Sequence, residues 1–147
     1  MSDDATDCDV WQAYRRVAEL DAELSRIRAR MEALVRRFRH EYPSTPRPIY
    51  PGVHVGGRER GPVIRWRLGG RPGHGQSWLA FTSPKLQHHL ETHRVPHATR
   101  RAWLELDRQA QRLNIEASMA AAERRVLDGY AMHMDRLARW AETYQSS

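Results

Sequence analysis

All eight prolines and eight of the nine glycines of this 147-residue chain lie between residues 43 and 101. These two residue types interrupt helices, so residues 1–42 and 102–147 can form long helices almost without a break. The middle segment also carries ten basic and two acidic residues, a net charge of +8, whereas each flanking segment has a net charge of −1. The sequence therefore predicts two nearly neutral helices that hold a basic, turn-rich element between them.

The first helix is predicted over residues 9–42, after a disordered tail over residues 1–8. Its core positions repeat in heptads, and nine of the ten are apolar, which is typical of a helix that packs along another helix. These positions are Val10, Ala13, Val17, Leu20, Leu24, Ile27, Met31, Leu34, Phe38 and Glu41. Pro43 ends the helix, because the residue before a proline avoids helical geometry.

The last helix is predicted over residues 96–144 and carries two apolar stripes, centred roughly 130° apart around its axis. The first stripe is rich in alanine and consists of Leu106, Leu113, Ala117, Ala120, Leu127, Ala131, Met134 and Ala138. The second stripe consists of Ile115, Met119, Ala122, Val126, Tyr130, His133, Leu137, Trp140 and Tyr144. A single helix cannot cover both, so we assign the first stripe to the N-terminal helix. The second stripe then needs the sheet or a second copy of the chain, and we expect a homodimer interface formed by Ile115, Met119, Val126, Tyr130, Leu137 and Trp140.

Short apolar runs separated by turn residues predict strands in the middle segment. Residues 63–68 alternate, with Ile64, Trp66 and Leu68 on one face and the arginines on the other. Residues 77–82 form the hairpin partner of this strand, residues 53–55 offer a third strand, and residues 84–94 form a short helix. The expected fold is α+β in one domain: two long antiparallel, coiled-coil-like helices with an inserted antiparallel β-hairpin or small sheet and a short helix.

The basic charge of the hairpin region, residues 43–83, predicts contact with nucleic acid. Arg65 and Arg67 lie about 7 Å apart on one face of a strand, close to the phosphate spacing along one DNA strand. Trp78 points outward and can stack on an unpaired base. The predicted contacts with nucleic acid, DNA rather than RNA, are Arg58, Arg60, Arg65, Arg67, Arg71, Trp78, Lys85, Arg100 and Arg101. Two alternatives stay open: a basic face that docks on an acidic protein surface, and a solvated face without a ligand.

Two further motifs are weaker. Residues 70–77 have the glycine spacing of a phosphate-binding loop, but Gln76 stands where that loop requires lysine, and a strand pattern follows. His89 and His93 are four residues apart on a helix, yet Leu90 occupies the position of the glutamate that zinc proteases need. No arrangement of a nucleophile with a base stands out. We therefore expect no metal, no cofactor and no enzymatic activity.

Four of the five tryptophans, Trp11, Trp66, Trp103 and Trp140, are expected to anchor the core, because large aromatic side chains dominate burial. The single cysteine excludes an internal disulfide, and no apolar run is long enough to span a membrane. These observations favour a cytoplasmic protein without membrane contact.

The order of hairpin, short helix and long helix, with Leu106-Asp107 and Leu113-Asn114 one heptad apart, resembles in layout small proteins of bacterial mobile elements. The resemblance covers about the middle third of the chain and assigns no residue a role. Two functional interpretations follow. One is a nucleic-acid-binding accessory protein of bacterial DNA transactions. The other is a phage- or element-encoded interaction module or inhibitor that docks its basic face on an acidic partner.

Overall fold

The computed structural model describes residues 3–43, 49–57, 60–69 and 78–146. In chain order they form helix α1 (Asp3–Glu41), strands β1 (Ile49–Val55), β2 (Pro62–Leu68) and β3 (Trp78–Leu79), helix α2 (Pro84–Thr92) and helix α3 (His97–Gln145). The strands form one antiparallel sheet in the order β1–β2–β3. The expected α+β architecture is confirmed: the two long helices pack together, and a small antiparallel sheet is inserted between them in the chain. None of the described helices has an apolar stretch long enough to cross a membrane.

Helix α1 begins at Asp3, which differs from the disordered tail predicted over residues 1–8. The sequence from residue 3 to residue 41 contains no proline and no glycine, so nothing in it interrupts a helix. At the other end, the backbone N–H of Tyr42 donates to the carbonyl oxygen of Phe38 at 2.9 Å, and Pro43 follows. The helix therefore stops where the proline predicts.

Helices α1 and α3 run antiparallel, because Arg16 near the start of α1 contacts Glu123, and Arg37 near its end contacts Gln109. The heptad positions of α1 face α3 and the sheet: eight of the ten are apolar residues packed in the interior, and Glu41 is exposed. The first stripe of α3 faces α1, with Leu106, Leu113, Ala117, Ala120 and Ala131 buried. Its alanines allow the two helices to approach closely.

Strand β1 is longer than the predicted residues 53–55: it begins at Ile49 and continues through Pro51. A proline is tolerated in β1 because β1 is an edge strand of the sheet. Strand β3 is shorter than the predicted residues 77–82: after Leu79 the chain turns, and Phe81 enters the core. Helix α2 ends at Thr92, and Arg94 beyond it adopts a left-handed φ of 51°.

Trp66 of β2 is the centre of the core and is 1% exposed. Its ring lies 5.7 Å from that of Phe38, 5.0 Å from that of Phe81 and 5.9 Å from that of Trp103, measured between centroids. Helix α2 closes this cluster with two fully buried leucines. Sheet, helix pair and short helix therefore share one core.

The expectation that four tryptophans anchor the core is right for Trp66 and Trp103 and wrong for Trp11 and Trp140, which are 60% and 58% exposed. The turn between β1 and β2 reaches the helix pair through Gly61, close to the middle of both helices. Beyond that point the described residues provide no third layer. A tryptophan outside the α1–α3 contact, such as Trp140 in the second stripe, therefore stays uncovered.

Two side chains of α3, one heptad apart, fasten β2 to the helix. Asp107 accepts a hydrogen bond from Trp66 Nε1 at 3.0 Å. The amide of Asn114 makes two bonds to the main chain of Ile64: its Oδ1 accepts from the N–H at 2.7 Å, and its Nδ2 donates to the carbonyl at 3.0 Å. Asn114 thus takes the place of a strand partner at the edge of β2, where the short β3 has ended.

Candidate nucleic-acid interface

The candidate site lies on the side of the sheet that faces away from the helices, which we call the outer face. In β2 the alternate side chains from Ile64 to Leu68 are buried, so Arg65 and Arg67 project from the outer face, as the alternation predicts. The strand register adds Tyr50, Gly52 and His54 of β1, Val63 of β2 and Trp78 of β3. Two cations, an indole, a phenol and an imidazole thus share one surface across three strands.

Trp78 is half-buried on the outer face, opposite Arg67 in the register of β2 and β3. The Cζ atom of Arg67 lies 4.2 Å from the centroid of the indole, which is a cation–π contact. The ring of His54 lies 5.3 Å from the indole between centroids, tilted by 54°. These contacts hold the guanidinium of Arg67 and the indole in defined positions.

Gly52 makes this arrangement possible. A Cβ atom at this position would lie 3.2 Å from Cη2 and 3.3 Å from Cζ3 of Trp78, and 3.8 Å from Cδ of Arg67. The indole therefore reaches across β2 and rests on the backbone of β1. Gly52 and His54 were not among the site residues predicted from the sequence. The available signal was a glycine inside a strand, which often marks a close approach by another group.

Neither arginine of the outer face takes part in an ion pair among the described residues. Arg65 is exposed, and Arg67 is half-buried. The Nε atom of Arg67 is buried and has no hydrogen-bond partner in the described part of the chain. Among the described residues, Arg67 thus packs against an aromatic ring and not against a carboxylate.

The ion pairs that the described residues do form lie within α1 and α3 or between them. The guanidinium of Arg16 donates to both carboxylate oxygens of Glu123, at 2.8 and 3.0 Å, which lowers the pKa of Glu123 and raises that of Arg16. Arg124 donates to Asp21 across the same interface, and this hydrogen bond raises the pKa of Arg124. In these pairs a charge of one helix is neutralised by a charge of the other.

Of the nine predicted contacts, the structure brings Arg65, Arg67 and Trp78 together on the outer face. Arg60 is exposed in the turn before β2, Lys85 is exposed in the first turn of α2, and Arg101 is exposed near the start of α3. Arg58 and Arg71 lie outside the described residues. The described contacts do not join these remaining cations to the outer face.

Arg100 has a structural role and not the predicted exposed one. Its Nε donates to the carbonyl oxygen of Val95 at 2.9 Å, and its Nη2 donates to that of Leu90 at 3.2 Å. The guanidinium therefore satisfies main-chain carbonyls at the end of α2, a common function of a cation at a helix C-terminus. Half-buried and engaged in this way, Arg100 is removed from the candidate interface.

A groove of about 490 Å³ borders the outer face on the side of β3. Arg65 and Trp78 line one wall, and Asn114, Ile115 and Ser118 of α3 line the other. Since Ile115 is also the first residue of the second stripe, the groove connects the outer face with that stripe.

The two weaker motifs add nothing to the site. The phosphate-loop-like residues 70–77 lie outside the described residues. Residues His89 and His93 stack, with ring centroids 6.1 Å apart and planes 14° apart. Among the described side chains, no three histidines, cysteines or carboxylates converge on a position that would suit a metal ion.

Comparison of the chain with known protein families, with curated proteins and with solved structures returns no match. We therefore interpret the outer face from its own geometry and charge. Its most informative feature is that Arg65 and Arg67 have no carboxylate partner among the described residues.

Proposed function

We propose that this protein binds nucleic acid through the outer face of its sheet, with little sequence specificity. The observation that carries the proposal is the pair Arg65 and Arg67, which has no carboxylate partner among the described residues and lies beside an indole. By contrast, Arg16, Arg30 and Arg124 of the helix pair each bind a carboxylate of the facing helix.

The geometry suits phosphates. Two arginines on one face of a strand stand about 7 Å apart, close to the spacing of successive phosphates along one strand of DNA. A guanidinium offers two parallel N–H donors to a phosphate, and the stacking of Arg67 on Trp78 fixes it before binding, which lowers the entropy lost on association.

The indole suits bases. Trp78 is half-buried, so part of its ring is accessible for stacking on an unpaired base, an interaction that tolerates any sequence. Arginines that contact phosphates and a tryptophan that stacks on bases are together suited to bind single-stranded or locally open nucleic acid. We infer a binding role and not an enzymatic one, as a cytoplasmic accessory protein of DNA transactions.

The test is binding of fluorescently labelled single-stranded and duplex DNA, and of RNA, measured by anisotropy as the salt concentration rises. We expect Arg65→Ala and Arg67→Ala each to weaken binding several-fold and to reduce the slope of log affinity against log salt by about one. Trp78→Leu should weaken binding to single strands more than binding to duplex. Arg36→Ala removes the same charge from an exposed position of α1 and should leave the slope unchanged.

Absence of binding to any of these nucleic acids at about 50 mM salt would refute the proposal, since phosphate contacts are strongest at low salt. Equal loss of affinity in Arg36→Ala and Arg65→Ala would reduce it to non-specific attraction by net charge. A protein that ignores nucleic acid but co-purifies with one acidic protein, through Arg65 and Arg67, would favour the alternative, an interaction module or inhibitor.

A further inference from the structure

The second stripe of α3 is the largest apolar surface that the described residues leave uncovered. Five of its residues from Ile115 to Leu137 are between 41% and 68% exposed, and Trp140 and Tyr144 are 58% and 74% exposed. At 100° per residue all of the stripe falls within about 40° of one line along the helix, over roughly 44 Å. Around the axis of α3 its centre lies roughly 130° from that of the buried first stripe.

The size of this surface is that of a protein interface. Seven large side chains at these exposures present on the order of 900 Å², compared with about 800 Å² that each partner buries in a stable complex. Monomers rarely leave a contiguous apolar patch of more than a few hundred Å² uncovered. Exposure of this extent calls for a partner.

The length and spacing of the stripe fit a second copy of the chain as the partner. Its positions are 115, 119, 122, 126, 130, 133, 137, 140 and 144. In an antiparallel pair of helices, residues whose numbers add up to 259 can lie opposite each other. Each stripe position then faces a stripe position of the second copy, except residue 130, which faces residue 129. The whole stripe can therefore be covered by its own copy, as a twofold axis requires.

We propose that a second copy of this chain covers the second stripe, with the two α3 helices antiparallel and the twofold axis between residues 129 and 130. In this register Ala122 lies opposite Leu137 of the partner subunit. At the ends of the stripe, Ile115 lies opposite Tyr144 of the partner subunit. Average spacing of the stripe is close to 3.6 residues, so the helices pair without the supercoiling that a strict heptad would impose.

Gly129 lies beside the proposed twofold axis and leaves open space there. It is exposed, and a Cβ atom built on it would have no described atom within 4 Å. In the middle of a helix a glycine lowers stability relative to alanine by about 1 kcal/mol, and no contact of a described residue beside it offsets that cost. In the proposed dimer the open space beside Gly129 receives the ring of Tyr130 of the partner subunit, twice by symmetry.

The first experiment is sedimentation velocity of the full chain across a range of concentrations, for the wild type and two variants. Leu137 in the stripe and Met132 outside it are 48% and 49% exposed, so Leu137→Asp and Met132→Asp introduce the same charge at equally exposed positions of α3. We expect Leu137→Asp to raise the dissociation constant of the dimer by about 100-fold or more, and Met132→Asp to leave it nearly unchanged. A wild type that stays monomeric at tens of micromolar would overturn the proposal, as would equal effects of the two variants.

The second experiment tests the register, with single cysteines introduced into a Cys8→Ser background and a short bismaleimide cross-linker. Tyr130→Cys, next to the axis, should cross-link to itself. Ile115→Cys should not, because the two copies of this residue would lie about 43 Å apart, but a mixture of Ile115→Cys and Tyr144→Cys should cross-link. Efficient self-linking of Ile115→Cys would indicate parallel helices and would refute the antiparallel arrangement. Neither experiment involves nucleic acid, so their outcome is independent of the proposed function.

Discussion

The helix pair and the outer face of the sheet both present arginines, in opposite circumstances. On the helices Arg16 binds Glu123, Arg30 binds Glu116 at 2.9 Å, and other pairs repeat within a helix. On the outer face Arg67 lies against an aromatic ring, and no carboxylate of the described residues pairs with it. The difference shows that the number of arginines in a segment says little about their availability. An arginine is available to a ligand only where the fold brings no carboxylate close enough to pair with it.

The two regions also differ in what holds them. Exposed ion pairs add little to the free energy of unfolding, so those of the helix pair fix register and solubility more than stability. The sheet is held by burial of its inner face, centred on Trp66, and by the bonds of Asp107 and Asn114. Stability therefore resides beneath the outer face, and the proposed binding would take place on it, so the two can be changed separately.

The largest effect on stability is expected for Trp66→Ala. The substitution removes a side chain that is 1% exposed, in contact with three aromatic rings, and it leaves Asp107 without its indole donor. We expect the free energy of unfolding, measured by urea titration, to fall by about 3–5 kcal/mol. Trp11→Ala, which removes an equal volume from a 60% exposed position on α1, should cost less than about 1 kcal/mol. Similar losses in both variants would contradict the assignment of stability to the sheet.

An intermediate effect is expected for Asn114→Ala. Its amide makes two hydrogen bonds with Ile64, and without them the N–H and carbonyl at this edge of β2 lose their partners. Unfolding free energy should fall by about 1–3 kcal/mol, and hydrogen exchange at the amide of Ile64 should accelerate. Asn114→Asp keeps the acceptor for the N–H of Ile64 but turns a carboxylate oxygen toward its carbonyl, so this variant should also be destabilised at neutral pH. Unchanged exchange at Ile64 in Asn114→Ala would show that the edge is protected in another way.

A smaller effect, and on binding only, is expected for Gly52→Val. The new side chain would displace Trp78 from its seat on β1 while leaving the inner face of the sheet intact. Under the proposed function, affinity for single-stranded nucleic acid should fall by about tenfold, as in Trp78→Leu, with little change in unfolding. Gly57→Val is the matched control, because a Cβ atom at Gly57 meets nothing within 4 Å. Equal affinity of both variants would separate the indole from binding.

The helical part of the fold was predictable from the sequence because helix patterns are local. The heptads of α1 and the first stripe of α3 gave the packing of both helices, and the alternation in β2 gave the directions of Arg65 and Arg67. These predictions need only neighbours within a few residues in the chain.

The rest depended on contacts between distant segments. Gly52 allows the approach of Trp78, which comes from a strand two positions away in the sheet. The sequence around either residue contains no pattern that predicts this contact. Arg100 is basic and near a helix start, like the residues predicted to bind, yet the path of the chain after α2 turns it toward the carbonyl of Leu90. Trp140 has the helical spacing that is typical of a core residue. That spacing does not predict whether a third layer of structure covers the residue.

The smallest effect is expected at the Arg16–Glu123 pair, whose side chains are 40% and 45% exposed. The hydrogen bond from Arg16 lowers the pKa of Glu123 below its ordinary value of 4.5 in the folded protein. The contribution of this ion pair to the free energy of unfolding is therefore fully present above pH 4.5. It is lost as the pH falls through the lower pKa that Glu123 has in the folded protein. Between about pH 5 and pH 3, Glu123→Gln should lose slightly less stability in urea titrations than the wild type does. If Glu123→Gln instead destabilised the protein at neutral pH as much as Trp66→Ala, the ion pairs would stabilise the helix pair, and the contrast between the two regions would fail.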